Sequence, residues 1–130
     1  MMSKAPMIAR YLLGLIYFVF GLNGFLNFIP APADMPEGAV AFFTGVMSAG
    51  YFMPLLKGTE VICGLLLLSG FAAPVALVIL APITIQIFMF HAMLTPGIQM
   101  IVMPAVMVVL HLVAAKAFWP MYRPLFNKAS

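Results

Sequence analysis

A stretch of 55 residues between Glu60 and Lys116 contains no Asp, Glu, Lys or Arg, and this feature most constrains the fold. A soluble fold of 130 residues has too much exterior to bury such a stretch. The hydrocarbon core of a bilayer is crossed by about 20 helical residues. The stretch therefore has room for two membrane spans and a tight turn. We expect an integral membrane protein, with the lipid bilayer as its first partner.

The composition excludes several other classes of protein. Hydrophobic residues make up 65% of the chain and charged residues 7%, against roughly 25% charged residues in an ordinary soluble domain. The net charge of +3 is too small and too scattered for a nucleic-acid partner. A single cysteine, Cys63, rules out an internal disulfide and dithiol chemistry. The length predicts one domain over residues 1–130.

Proline- and glycine-containing breaks divide the chain into four predicted spans. Residues 30–37 carry three prolines and two acidic residues, which cannot continue a helix in lipid. Further breaks are predicted at residues 69–74 and 95–97. The predicted spans cover residues 7–29, 54–70, 73–94 and 98–118. The predicted fold class is all-α, a polytopic membrane protein built as a four-transmembrane-helix bundle.

Residues 38–56 are also uncharged, and their pattern differs from that of the spans. Val40, Phe43 and Met47 fall on one helical face, with Thr44 and Ser48 opposite. This amphipathic pattern predicts a short interfacial helix between the first and second spans. A fifth span is the alternative.

The basic residues predict the orientation. They precede the first span and follow the last one, whereas the loop between the first two spans is acidic. With four crossings, all the terminal basic residues share one side, which the positive-inside rule assigns to the cytoplasm. The basic residues concerned are Lys4, Arg10, Lys116, Arg123 and Lys128.

Polar side chains inside the spans are candidates for a site, because polar groups are costly in lipid and usually face the bundle. At 1.5 Å per residue, most of them fall in the outer half of the membrane, while His111 lies about 20 Å from the outer end. His111 is more typical of a packing residue. The set comprises Asn23 and Asn27 in the first span, Lys57 and Glu60 in the second, Gln86 and His91 in the third, and His111 in the fourth.

The spacing of these residues indicates which of them share a face. Lys57 and Glu60 are three residues apart and can pair. Together with the amides and His91, they would form a pocket suited to a quinone head group or to proton transfer. The alternatives are a purely structural ion pair and amides that hold helices together. The two histidines differ in depth and lack zinc or haem ligand spacing, so no metal site is expected.

Several segments resemble the DoxX/DoxD-like family of small four-helix membrane proteins. In the first span they are residues 9–16, ARYLLGLI, and 21–25, GLNGF. In the second they are residues 50–60, GYFMPLLKGTE, and 64–70, GLLLLSG. The resemblance covers about residues 8–115. Its most recognisable feature is a membrane-embedded glutamate that opens the second span, which here is Glu60.

The resemblance implies a role in redox chemistry. The family takes its name from the membrane subunit of a thiosulfate:quinone oxidoreductase, and other members are linked to membrane redox complexes and oxidative stress. Members often carry a lysine after a first-span glycine, where this chain has Asn23 and Gly24. Either Lys57 takes the place of that lysine, or the chemistry of the family is lost in this chain.

The resemblance therefore implies a multi-pass protein of a bacterial inner membrane, acting as a quinone-interacting or accessory subunit of a redox system. Glu60 would accept the proton, and Asn23, Gln86 and His91 would orient the head group. Asn27 and Lys57 complete the expected ligand-binding set. Because the chain has no cofactor motif, a redox role would need a partner subunit or a diffusing quinone. A homo-oligomer is the other partner considered for this chain.

Two other functions remain open at the level of sequence. The first is a non-catalytic membrane scaffold or assembly factor. The second is a small-solute transporter, for which four helices are few unless an oligomer supplies the path.

Overall fold

The computed structural model describes residues 4–29 and 34–128, and all the regular elements in this part of the chain are helices. Four of them are long and apolar enough to cross a membrane, which confirms the predicted all-α, four-span fold. The four spans are α1 (Ala5–Leu26), α3 (Phe52–Ser69), α4 (Ala73–Leu94) and α5 (Ile98–Lys116). The shorter elements are α2 (Glu37–Ser48), α6 (Trp119–Tyr122) and a 3-10 helix (Arg123–Phe126).

The helix ends follow from local chemistry. α1 ends at Leu26 rather than at the predicted residue 29, because Asn27 adopts a left-handed conformation with φ 53°. Gly70, with φ 83°, ends α3 in the left-handed conformation that glycine adopts most easily. Pro74 is accommodated in the first turn of α4, where a missing N–H costs nothing. The predicted break at residues 69–74 is thus confirmed.

The helix α2 lies between α1 and α3 in the chain and is too short to cross a bilayer. Its 12 residues rise about 18 Å, so residues 38–56 do not form a fifth span. Ala39 is fully buried, and Phe42 and Phe43 pack against Phe90 of α4 with ring centroids 5.3 and 5.1 Å apart. Met47, predicted on the same face as Phe43, is exposed.

Helices α1 and α3 run antiparallel and pack closely. Small residues allow this, as they do between membrane helices in general. A Cβ added at Gly64 would lie 2.7 Å from the backbone nitrogen of Phe18, so the two backbones almost touch there. As α1 proceeds, its contacts on α3 run backwards: Gly14 faces Leu67, Gly21 faces Val61 and Glu60, and Gly24 faces Lys57.

Two side-chain hydrogen bonds define one end of the bundle. Arg10 Nη1 donates to the carbonyl of Leu67 at 2.5 Å, and the Tyr122 hydroxyl donates to the carbonyl of Pro74 at 2.6 Å. Burial raises the pKa of Tyr122, so its hydroxyl stays protonated at neutral pH.

The end of the bundle that carries these two hydrogen bonds is called the terminal end, because the start of α1 and the segment after α5 both lie there. The opposite end, which carries α2, is the α2 end.

The close contact at Gly64 generates a stability prediction. Gly64→Ala forces the α1 and α3 backbones apart and should cost about 1–3 kcal/mol, as overpacking generally does. Unfolding in detergent can be followed by a thiol-reactive dye, because the buried Cys63 is the sole cysteine.

The matched control is Gly58→Ala on the same helix, where an added Cβ meets nothing within 4 Å. There alanine should be neutral or stabilising by about 0.5–1 kcal/mol through helix propensity. Equal dye-reaction temperatures for the two variants would contradict the close α1–α3 contact.

Candidate functional site

Glu60 occupies the centre of the bundle. It lies near the middle of α3 and is only 3% exposed. The backbone of α1 covers it, since a Cβ added at Gly21 would lie 3.1 Å from the Cβ of Glu60. A carboxylate in such a position loses its hydration and needs a partner within the protein.

Lys57 provides that partner. Its Nζ lies 3.3 Å from Glu60 Oε1, so the pair predicted from the three-residue spacing forms. The aliphatic part of Lys57 lies over Gly24 of α1 and fills the space that any side chain at position 24 would enter. The Lys57 side chain is 20% exposed. The ion pair therefore reaches from the buried carboxylate to the edge of the bundle.

Asn23 and Asn27 end helix α1. The Asn23 side-chain oxygen accepts a hydrogen bond from the Ile29 backbone N–H at 2.6 Å, and the Asn27 N–H donates to the Asn23 carbonyl at 2.8 Å. Asn23 is half-buried and Asn27 is exposed. These two residues lie on the Lys57 side of the α1–α3 interface, one or two turns from the ion pair.

Gln86 and His91 do not join the ion pair. Gln86 is exposed on the outer surface of α4. His91 Nδ1 bonds to the carbonyl of Ile87 in its own helix at 2.8 Å, and its ring lies against Phe90. His91 thus belongs to the aromatic contact between α4 and α2 at the α2 end.

A buried chain of polar side chains links three spans, and sequence reasoning missed most of it. The Tyr17 hydroxyl lies 2.5 Å from Thr84 Oγ1, which lies 2.9 Å from His111 Nδ1. His111 Nε2 lies 2.8 Å from the Leu77 carbonyl. His111 was expected to be a packing residue away from the site, and Tyr17 and Thr84 were not singled out. Their positions near the middle of α1 and α4 were the available signal.

This chain adjoins Glu60. Tyr17 lies one turn before Gly21, whose backbone packs against Glu60. Tyr17 also belongs to the buried cluster that contains Cys63, which lies three residues after Glu60 on α3. All four spans thus contribute to one polar core: Tyr17 from α1, Lys57 and Glu60 from α3, Thr84 from α4 and His111 from α5.

The other surface features lie away from the polar core. One shallow hollow follows α2 and another lies beside the end of α5, and neither is lined by polar-core residues. Within residues 4–29 and 34–128, no group of three His, Cys, Asp or Glu side chains could hold a metal ion. Protonation and hydrogen bonding are therefore the chemistry that the polar core offers from its own side chains.

Comparison with known families agrees with this architecture. The family model for DoxX matches residues 5–93. The chain belongs to the DoxX family. No curated protein and no solved structure matches it significantly. The DoxX match includes Tyr17, Glu60 and Thr84, whereas His111 lies on α5, beyond the matched residues.

The buried ion pair generates a second prediction. Lys57→Met leaves the Glu60 carboxylate without a counter-ion and should cost about 3–5 kcal/mol if it stays charged. The loss should shrink as the pH is lowered, because a neutral Glu60 needs no counter-ion.

The double variant Lys57→Met/Glu60→Gln should recover more than half of that stability at neutral pH. The readout is again the temperature at which Cys63 reacts with the dye. If the double variant is as unstable as Lys57→Met alone, the unpaired charge of Glu60 does not cause the loss of stability.

Proposed function

We propose that this DoxX-family membrane protein is a quinone-interacting or accessory subunit of a membrane redox system. The observation that supports the proposal is the Lys57–Glu60 pair, a carboxylate buried at the centre of a membrane span with its counter-ion at the edge of the bundle. Buried ionisable groups in spans are rare and commonly mark a site. Quinol oxidation releases protons, and in a membrane a base must accept them.

Glu60 is the proton acceptor in this proposal. A quinol hydroxyl would donate to the carboxylate and then transfer its proton as the quinol is oxidised by a redox partner. Lys57 keeps the ionised carboxylate paired before the transfer, and its side chain is partly exposed at the edge of the bundle. Because the chain carries no cofactor motif, the electrons would pass to a redox partner subunit.

Asn23 is the best-placed group to orient the quinone ring. Its side-chain oxygen is occupied by the Ile29 N–H, which turns the amide and leaves the nitrogen available as a donor. Lys57 has further N–H donors beside it. Asn27 lies at the same helix end and could contact the ring edge. Gln86 and His91 lie elsewhere and receive less support as head-group ligands.

Binding of a short-chain ubiquinone analogue to the purified protein in lipid nanodiscs tests the proposal. Asn23→Ala and Lys57→Met should each weaken binding by roughly 2–10-fold, the effect of one hydrogen bond. Glu60→Gln should weaken binding of the quinol more than that of the quinone, because only the quinol donates to the carboxylate.

Thr59→Ala is the matched control on α3, since the Thr59 hydroxyl bonds only to the Leu55 carbonyl of its own helix. Equal affinity of the unsubstituted chain and all three site variants would contradict a quinone site. The non-catalytic scaffold would then be the better interpretation.

The proposal also places the chain in a bacterial inner membrane with both termini in the cytoplasm. The basic residues at the terminal end support this orientation, because positive charge is retained on the cytoplasmic side. In a Cys63→Ser background, Asp34→Cys should react with an impermeant maleimide in spheroplasts. Asn127→Cys should react only after lysis. The reverse labelling pattern would contradict the orientation without affecting the quinone proposal.

A further inference from the structure

The polar chain from Tyr17 to His111 has no part in the quinone contacts proposed above. Its three side chains come from α1, α4 and α5, and all of them are buried. Such a chain can simply hold helices together. For each protonation state of His111, however, every atom of the chain has one donor or acceptor role. These roles follow from the Leu77 carbonyl at one end of the chain.

The direction of the chain is set at Leu77. A backbone carbonyl can only accept, so His111 Nε2 carries a hydrogen and donates it to the Leu77 oxygen. In a neutral imidazole, Nδ1 then has a free electron pair and accepts from the Thr84 hydroxyl. The Thr84 oxygen in turn accepts from the Tyr17 hydroxyl. With neutral His111, every hydroxyl therefore points from Tyr17 towards His111.

The hydroxyl of Thr84 bonds to other helices, unlike those of Thr59 and Thr95. The Thr59 hydroxyl donates to the Leu55 carbonyl one turn back, and the Thr95 hydroxyl does the same to His91. Both partners of Thr84 belong to other helices. The Thr84 hydrogen therefore has two places to go among the described residues, His111 Nδ1 or the Tyr17 oxygen.

Protonation of His111 reverses the chain. A charged imidazole donates from both nitrogens, so Thr84 must accept from Nδ1 and turn its own hydrogen towards Tyr17. The Tyr17 hydrogen must then leave Thr84 for another acceptor. Glu60 is the carboxylate of the polar core, and it packs against Gly21, one turn after Tyr17 on α1. The single hydrogen bond that Glu60 receives, from Lys57, goes to Oε1 and leaves Oε2 free among the described residues.

We propose that Tyr17, Thr84 and His111 form a reversible hydrogen-bond relay in which a proton bound at His111 turns the Tyr17 hydroxyl towards the Glu60 carboxylate. The only covalent change is the transfer of one proton from a hydronium ion of the bulk solution to Nδ1, which leaves a water molecule, and the hydroxyls only rotate. His111 is thus a second protonatable site, coupled to Glu60 and independent of whether a quinone binds.

The location of the relay gives it a direction across the membrane. His111 lies five residues before the end of α5, about 8 Å from the terminal end. Lys57 lies beyond Glu60 towards the α2 end. The relay therefore connects His111, which lies in the terminal half of the bundle, with an ion pair whose lysine lies towards the α2 end.

Few charged groups surround the relay, which simplifies its test. Tyr17 is the titratable group that α1 contributes to the relay, whereas Tyr11 on the same helix is exposed. α4 contributes no charged residue beside Thr84 in the described ranges. α3 contributes Lys57, Glu60 and Cys63. Arg10 and the exposed Lys116 lie further away, at the terminal end.

The chain has two histidines, so His91→Gln leaves His111 as the sole source of a histidine signal. Nitrogen-15 histidine NMR of this variant in nanodiscs should show a neutral ring with its hydrogen on Nε2, and a charged ring at lower pH. Adding Glu60→Gln should weaken proton binding at His111 about tenfold, or about one pH unit in its titration midpoint.

The decisive comparison repeats the Glu60→Gln substitution without the relay. The Thr84→Val background keeps the side-chain shape. In it, Glu60→Gln should shift the His111 midpoint by less than half of the shift seen when Thr84 is present. Tyr17→Phe should reduce it in the same way and provides a second route if the valine variant does not fold. Glu37→Gln on the exposed start of α2 should leave the midpoint unchanged.

Three results would overturn the relay. Glu60→Gln could shift the His111 titration midpoint equally with and without the Thr84 hydroxyl, or it could leave the midpoint unchanged. The third is that His111 stays neutral at every pH at which the protein is folded. A purely structural chain would change the stability of these variants and not the coupling between the two sites. Failure of quinone binding leaves this test intact, because no quinone is present in it.

Discussion

The absence of water from the bilayer core is the constraint on which this structure depends. Each polar group placed there must find its partner within the protein, because the lipid offers none. In the described residues, no side-chain nitrogen or oxygen that is itself completely enclosed lacks a hydrogen-bond partner. Arg10, Glu60 and His111 meet this requirement in three different ways, through a helix end, a counter-ion and a chain of hydroxyls. The polar contacts thereby fix which helix faces which.

Close packing of α1 on α3 brings these contacts within reach. The glycines along α1 let its backbone approach Glu60 and Lys57 directly. This places Tyr17 one turn from the glycine that covers the carboxylate and brings its hydroxyl to Thr84 of α4. The residues matched by the DoxX family model supply this arrangement, and α5 adds His111 to it from outside the matched region.

Sequence reasoning succeeded where length and local spacing decide the outcome. Four spans follow from the charge-free stretches and from breaks such as Gly70, because a bilayer of fixed thickness leaves little choice. The Lys57–Glu60 pair follows from helical periodicity within one element. Residues 38–56 were harder to assign, since their apolar content suits both a span and a short helix.

Sequence reasoning failed where the rotation of one helix about its axis, relative to its neighbours, decides which side chains meet. Depth along a helix can be counted, so Gln86 and His91 were placed at heights consistent with a common pocket. The side of the bundle that each residue faces cannot be obtained by counting residues. Gln86 faces outwards, and His91 bonds to its own helix. Tyr17 and Thr84 escaped notice for the converse reason, since a mid-span hydroxyl gains meaning only from its tertiary partners.

The overlap between position 24 and the stem of Lys57 has an evolutionary consequence. Two neighbouring helices share one volume here, and only one of them can fill it. The cation that pairs with the buried glutamate can come from the first span or from the second. These are then alternative solutions to the same steric problem. Among relatives of this chain, the residues at positions 24 and 57 should therefore change together, with a small residue at one wherever a long side chain occupies the other.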